Sequence, residues 1–221
     1  MDKAGWHKII ENGYQISEDD ALDQLTDELL GYLDSSDAEL RDTIAYDVLA
    51  RWIISHNYYS APQLAKLVER LIPKLSQSLG NHDDDTVFGR SYAVSVLGLL
   101  AYEDDRTTFM SDSLAHSLLD EARNYLIAER DHRAYVDGKG WANACSNTAV
   151  LLKFLAGNSI IQSEDAKRIL DVVAEKVVMQ TDHIYNHDED ERLAQVAMTI
   201  FNLSLLTTFE LETWLKHFHD W

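Results

Sequence analysis

The stretch from Glu129 to Asn147 holds most of the side chains that could do chemistry in this chain. Acids and cations alternate there within a few residues, which suits either binding of a charged ligand or proton transfer by a carboxylate. Two asparagines four residues apart follow on a predicted helix, where they would share one face. Small polar side chains are unusual on an inward helix face. The candidate ligand-binding residues in this stretch are Glu129, Asp131, Arg133, Tyr135, Lys139, Trp141, Asn143 and Asn147.

These residues support two functional hypotheses and one structural interpretation. In the first hypothesis a non-enzymatic binding or scaffold protein receives a peptide, protein or small-molecule ligand on a concave face around the predicted hairpin 111–156, which contains this stretch. Arg133 and Lys139 would hold an anionic group of that ligand, the aromatic side chains would supply apolar walls, and the asparagines would orient it. In the second hypothesis an enzyme uses Glu129 or Asp131 as general base, with Lys139 steadying the developing negative charge. In the structural interpretation the charged groups bond loop backbone and lock a tight connection, while Trp141 packs into the core.

An arginine stands early in the second helix of three predicted helix pairs, at Arg41, Arg90 and Arg192. An arginine at this position could bond a carboxylate or carbonyl of the neighbouring pair and hold the stack together. The alternative is that the three are unrelated surface arginines. Arg90 and Arg192 complete the predicted ligand-binding set.

Motifs for nucleophilic catalysis, cofactors and metals are missing from the sequence. Cys145 is the only cysteine and has no histidine nearby in sequence, so we expect an inert packing residue. There is no glycine-rich phosphate loop and no dinucleotide fingerprint, and we predict no cofactor. The segment His183–Glu191 has two histidines and four acids. We predict that this segment is a loop. Two histidines four residues apart in a loop need not point to the same side, so we predict no metal site.

The elements that position these residues are helices. The 221 residues include only two prolines and nine glycines, and long segments show apolar residues at helical spacing. Pro73 should kink or divide its helix. The spacing predicts four hairpins and a C-terminal cap, at 18–55, 61–103, 111–156, 163–206 and 210–221. Their period of roughly 40–50 residues is typical of armadillo and HEAT units. We therefore predict a single all-α domain, an α-α superhelix of stacked hairpins, with a globular helical bundle as the alternative.

Charge and hydropathy indicate which classes of partner and which cellular compartment are expected for this protein. The net charge of −19, from 38 acidic and 19 basic residues, repels phosphate backbones and anionic lipids, so neither nucleic acid nor membrane is an expected partner. This acidity keeps the protein soluble or provides an acidic face for a cationic partner. The first residues, Met1–Lys8, lack a signal peptide's apolar run, and the stretch Ala93–Tyr102 is too short to span a bilayer. We predict a cytoplasmic protein of undetermined oligomeric state.

Four segments carry a resemblance to a known family. They are LRDTIAYDVLARWI (Leu40–Ile53), DTVFGRSYAVSVL (Asp85–Leu97), YLIAERDHRAYVDGKGWANA (Tyr125–Ala144) and DERLAQVA in the region Glu189–Ala197. The order E-x-D-x-R-x-Y-V-x-x-K-G-W from Glu129 to Trp141 is the most specific part. The chain resembles the bacterial domain-of-unknown-function family 2785, whose members look like armadillo-type helical repeats. The resemblance implies a fold but no established activity.

The resemblance also bears on metal binding. The family pattern continues after the tryptophan with two histidines four apart and then an aspartate, a set that would suit a transition metal. Asn143, Asn147 and Val150 stand at the matching positions here. A metal site shared by the family would therefore be absent from this chain, whereas asparagine could still line a non-metal pocket.

Overall fold

The computed structural model describes residues 1–17, 21–216 and 218. Helices account for nearly all regular structure in this part of the chain, which confirms the predicted all-α class. The α-helices are α1 (Lys3–Glu11), α2 (Leu22–Tyr32), α3 (Asp47–Ile54), α4 (Ala61–Leu71), α5 (Thr86–Thr107), α6 (Asp112–Ala128), α7 (Ala144–Gly157), α8 (Ser163–Val178), α9 (Glu189–Leu203) and α10 (Thr208–Lys216).

The N-terminal region differs from the prediction in two ways. Helix α1 was not predicted, although Asp2 caps it by accepting a hydrogen bond from the Gly5 amide, and Trp6 is fully buried. The second half of the predicted hairpin 18–55 forms a π-helix over Glu39–Tyr46 before it continues as α3. Residues 18–20, the predicted start of the first hairpin, lie outside the described residues.

Pro73 interrupts the second hairpin as predicted. Helix α4 ends at Leu71, and the chain continues as a 3-10 turn over Ile72–Ser76. Proline has no amide hydrogen to donate to the preceding turn, and its ring clashes with the carbonyl four residues earlier. After this interruption, the carbonyls of Gln77 and Ser78 accept hydrogen bonds from Arg90 on α5.

The helices form two layers. Helix α5 contacts α3 on one side and α7 on the other, and α7 in turn contacts α9. Helices α4, α6 and α8 pack behind this row, each against the helix that follows it in the chain. The buried apolar residues of all these helices join in a single core cluster. The division into repeated hairpins and their assignment to an armadillo or HEAT repeat stay predictions.

The third hairpin, predicted over 111–156, contains a short β-ribbon that the all-helical prediction did not include. Two short strands, β1 (Tyr135–Val136) and β2 (Gly140–Trp141), form an antiparallel ribbon, and α7 begins only at Ala144. Gly140 has φ +84° and Asn143 has φ +52°, values that a right-handed helix excludes. Lys139 and Trp141 therefore belong to the ribbon and do not flank the helix N-terminus.

The C-terminal prediction of a cap over 210–221 is matched in the described part by α10. The Trp214 indole donates to the Leu170 carbonyl of α8 at 2.8 Å and is buried there. Residues 217 and 219–221 lie outside the described residues. No helix in the described ranges is long and apolar enough to cross a bilayer.

Candidate functional site

Arg90 and Glu129 form a buried ion pair that ties the second hairpin to the third. The Arg90 Nε and Nη2 atoms donate to the two carboxylate oxygens of Glu129 at 2.6 and 3.0 Å. The arginine is 1% exposed, and its Nη1 donates to the Gln77 and Ser78 carbonyls and to the Thr86 hydroxyl. Every nitrogen of the guanidinium is thus engaged. The placement matches the expected bond between an early arginine and a neighbouring hairpin's carboxylate.

Asp131 and Arg133 close the connection that follows α6. Asp131 is buried, and its carboxylate accepts from the Asp83 amide at 3.0 Å and from the Arg133 Nε at 2.8 Å. Arg133 also donates to the Asp84 carbonyl at 2.7 Å. The Asp131 carboxylate holds the pKa of Arg133 above its usual range. This pair fixes the connection against the start of α5.

Lys139 and Arg41 hold the ribbon from its other end. The Lys139 Nζ donates to both carboxylate oxygens of Asp85 at 2.6 and 2.8 Å. The Lys139 carbonyl accepts from the Nη2 of Arg41 at 2.6 Å, and Arg41 is fully buried with its guanidinium 3.9 Å from the centre of the Phe88 ring. A Cβ atom at position 140 would lie 3.1 Å from the Arg41 Nη2 and 3.2 Å from the Ala38 Cβ, and the φ of +84° favours glycine there.

The two asparagines have different surroundings. The Asn147 Nδ2 donates to the Ser91 hydroxyl at 2.8 Å, and that hydroxyl donates to the Ala142 carbonyl. Asn143 precedes α7 in a left-handed conformation, and its Oδ1 is buried without a hydrogen-bond donor among the described residues. Asn147 therefore helps to hold α7 against α5, whereas Asn143 carries an unused acceptor.

Arg192 does not join this group of contacts. Its side chain is exposed on the first turn of α9 and makes no ion pair with any residue that the structure describes. Of the three early arginines, Arg41 and Arg90 bond the third hairpin, and Arg192 does not. The other predicted site residues converge, but largely upon one another.

This convergence changes what the site can do chemically. Arg133 and Lys139, the cations expected to hold an anionic ligand, already bind Asp131 and Asp85. Glu129 and Asp131, the candidate general bases, are buried, and every oxygen of their carboxylates already accepts a hydrogen bond from an arginine or a backbone amide. The charged part of the stretch therefore acts as a set of structural locks, and the geometry disfavours catalysis by these carboxylates.

The ribbon and the loop before α9 together form an aromatic surface. Its members are Tyr135, Trp141 and His187. Tyr135 and Trp141 face each other across the ribbon with ring centres 5.1 Å apart, and the Trp141 and His187 rings are 5.5 Å apart. Tyr135 is 53% exposed and Trp141 42% exposed. The structure thus places Trp141 on the surface and not in the core. His187 was not among the predicted residues, although its loop had been singled out for its two histidines.

Four acidic residues lie close in sequence to the members of the aromatic surface. Asp137 lies in the turn of the ribbon, and Asp188, Asp190 and Glu191 follow His187 directly in the chain. All four are exposed, and none forms an ion pair within the described part of the chain. The surface therefore combines exposed π faces with uncompensated negative charge.

Sequence reasoning missed one buried charged side chain, that of Lys176. Lys176 in the last turn of α8 is 2% exposed, and burial lowers its pKa. Burial also raises the pKa of the nearby Cys145 thiol to about 11, in keeping with an unreactive cysteine. The available signal was helical spacing, because Lys176 is three and four residues after the buried Val173 and Val172.

Across residues 1–17, 21–216 and 218, no set of three or more histidine, cysteine, aspartate or glutamate side chains is arranged to hold a metal ion. His183 bonds Glu189 at 3.1 Å, whereas His187 lies against Trp141. The two histidines of that loop therefore face different neighbours.

Comparison with known proteins gives one match. The model of a family described as protein of unknown function (DUF2785) matches residues 75–221. This range includes the whole third hairpin and the loop of His187, whereas the resembling segment Leu40–Ile53 lies outside it. No curated protein and no solved structure matches the chain.

Proposed function

The chain belongs to the DUF2785 family, and from its geometry we propose that it is a non-enzymatic binding protein whose aromatic surface receives a basic peptide segment. The observation that carries this proposal is the exposure of Tyr135 and Trp141 on a rigid ribbon. Trp6, Trp52 and Trp214 are all buried, so exposure is not the general condition of tryptophan in this chain. Tryptophan and tyrosine are enriched among residues that dominate binding energy at protein interfaces.

The rigidity of the ribbon supports binding. Arg41 holds the Lys139 carbonyl, Lys139 holds Asp85, and the Ala142 amide donates to the Ala134 carbonyl at 2.7 Å. The aromatic rings are therefore presented in a fixed arrangement before a partner arrives. A partner then loses less conformational entropy at this surface than at a flexible loop.

The negative charge near the aromatic surface favours a partner that is positively charged. Lysine and arginine side chains interact favourably with the faces of tryptophan and tyrosine, and the exposed acids Asp137, Asp188 and Asp190 add attraction for the same cations. A net charge of −19 would also steer a basic partner toward the protein. A cytoplasmic location fits this proposal, since the single cysteine cannot form an internal disulfide.

The test is binding of a fluorescently labelled, capped peptide of alternating lysine and glycine, followed by anisotropy at low and at physiological salt. We expect affinity to fall with salt. Trp141→Ala removes a cation–π contact worth about 0.5–2 kcal/mol and should weaken binding by about 2- to 30-fold. Asp188→Asn should weaken it as well, and asparagine tolerates the left-handed conformation of Asp188, φ +66°.

A matched control tests whether any exposed aromatic side chain would bind the peptide equally well. Phe209 on α10 is 73% exposed, and Phe209→Ala should leave the affinity unchanged. A peptide of alternating glutamate and glycine should not bind. The proposal fails if both peptides bind equally well, or if Trp141→Ala keeps the full affinity for the basic peptide.

A further inference from the structure

The three rings of the aromatic surface stand at steep angles to one another. Trp141 contacts both of the others, and its plane makes an angle of 76° with that of Tyr135 and 79° with that of His187. Tyr135 and Trp141 are cross-strand partners in the ribbon, whereas His187 comes from the loop before α9. Because the planes are not parallel, a rounded group can touch more than one ring at once, whereas a flat group can stack on only one.

No described lysine or arginine lies over a ring of the aromatic surface. Five other described rings each have such a cation over them, for example Phe88, whose centre is 3.9 Å from the guanidinium carbon of Arg41. The two cations nearest to the ribbon's rings in sequence, Arg133 and Lys139, are instead bound by carboxylates. The aromatic surface therefore keeps its attraction for a cation that comes from outside the chain.

The kind of cation follows from what the rings offer in place of water. A lysine ammonium is a compact, strongly hydrated charge with three N–H donors, and an aromatic face does not replace the hydrogen bonds that these donors lose when they leave water. A quaternary ammonium has no N–H donor to satisfy, and aromatic surfaces recognise this group in choline and in methylated lysine. Its methyl groups also make it rounded, which suits rings that are steeply tilted against one another.

We propose that the aromatic surface selects a quaternary ammonium group, with Trp141 as its main contact and Tyr135 and His187 as flanking contacts. Trimethylated lysine in a peptide and choline-like small molecules share this group, and the experiment below distinguishes the two sources. The inference rests on the proposed function, because it specifies which cation of a basic partner the surface prefers. The two can nevertheless fail separately, since a surface that binds lysine and trimethylated lysine equally well still binds a basic peptide.

The test compares two labelled, capped peptides of alternating lysine and glycine, one unmodified and one with every lysine trimethylated. Trimethylation keeps the charge of lysine, so the attraction exerted by the net charge of −19 is the same for both peptides. Fluorescence anisotropy at physiological salt measures the two affinities. We expect the trimethylated peptide to bind about tenfold more tightly.

Competition with small molecules separates charge from apolar shape and identifies the source of the group. Choline should displace the trimethylated peptide, whereas its uncharged isostere, in which a tert-butyl group replaces the trimethylammonium group, should not. The two compounds have nearly the same shape, so a difference between them reports the charge. Displacement by choline at concentrations similar to that of the peptide identifies a small molecule as the ligand, and displacement only in large excess identifies trimethylated lysine within a peptide.

One variant and one matched control complete the test. Trp141→Leu keeps an apolar side chain but removes the π face, and should abolish the preference for the trimethylated peptide. Phe209→Leu removes an exposed ring on α10, 73% exposed, and should keep that preference. The inference is overturned, and the proposed function is not, if the native chain binds both peptides equally well. It is also overturned if the uncharged isostere competes as well as choline, or if Trp141→Leu keeps the full preference, and both proposals fail if neither peptide binds.

Discussion

Removal of the Glu129 charge tests whether the Arg90–Glu129 pair is a structural lock. Both side chains are almost fully buried, at 1% and 4% exposure, and Glu129 is the only carboxylate within ion-pair distance of the guanidinium among the described residues. Glu129→Gln would leave a buried guanidinium without its counter-ion. Breaking a buried pair in this way costs about 3–5 kcal/mol of unfolding free energy. For a chain of this size, that loss lowers the melting temperature by about 6–20 °C, at about 2–4 °C per kcal/mol.

The assay is urea unfolding followed by circular dichroism, for Glu129→Gln, Arg90→Met and the double variant. In the double variant neither charge is buried alone, so it should be more stable than the sum of the two single losses implies. Arg70→Gln breaks a surface pair with Asp27, 2.7 Å long and well exposed, and serves as the control with a loss below about 1 kcal/mol.

The reasoning is refuted by either of two results. One is a loss for Glu129→Gln no larger than that of the surface control. The other is strict additivity in the double variant, because additivity would mean that the two side chains do not stabilise each other. A Glu129→Gln variant that stays folded but loses a measurable turnover would instead revive the general-base hypothesis.

Two further predictions concern the ribbon and the cysteine. Gly140→Ala should destabilise the protein more than Gly138→Ala, since both glycines have positive φ (+84° and +71°) but only a methyl group at Gly140 meets the Arg41 guanidinium; unfolding midpoints measure the difference, and equal midpoints would contradict the close approach. Cys145 should react very slowly with Ellman's reagent at pH 8, because burial raises its pKa to about 11, and the reaction should become fast in urea. Rapid labelling of the folded protein would show that the thiol is accessible.

The charged stretch illustrates how far sequence reasoning reached. Most of its residues lie together in the structure, and the alternation of acids and cations had suggested local bonding as one of several interpretations. Whether the expected ligand is anionic or cationic nevertheless depended on whether Arg133 and Lys139 already have ion-pair partners. That question is decided by Asp85, which is 54 positions from Lys139 in the chain, and by the Asp131 contact with Arg133. The preference for a basic peptide at the aromatic surface arises only after these cations are seen to be neutralised.

Periodicity determined the helical class, and the chemistry of proline determined the interruption at Pro73, because helix formation follows local spacing and backbone hydrogen bonding. The start of α7 was mispredicted, since the helical pattern of its apolar residues outweighed the turn signal of Asp137-Gly138. Only the tertiary structure decided which side chains are exposed or unpaired. Trp141 is exposed and Lys176 is buried, which is the reverse of what is usual for tryptophan and for lysine. The reason is physical: burial is set by contacts between residues far apart in the chain, which no local pattern records.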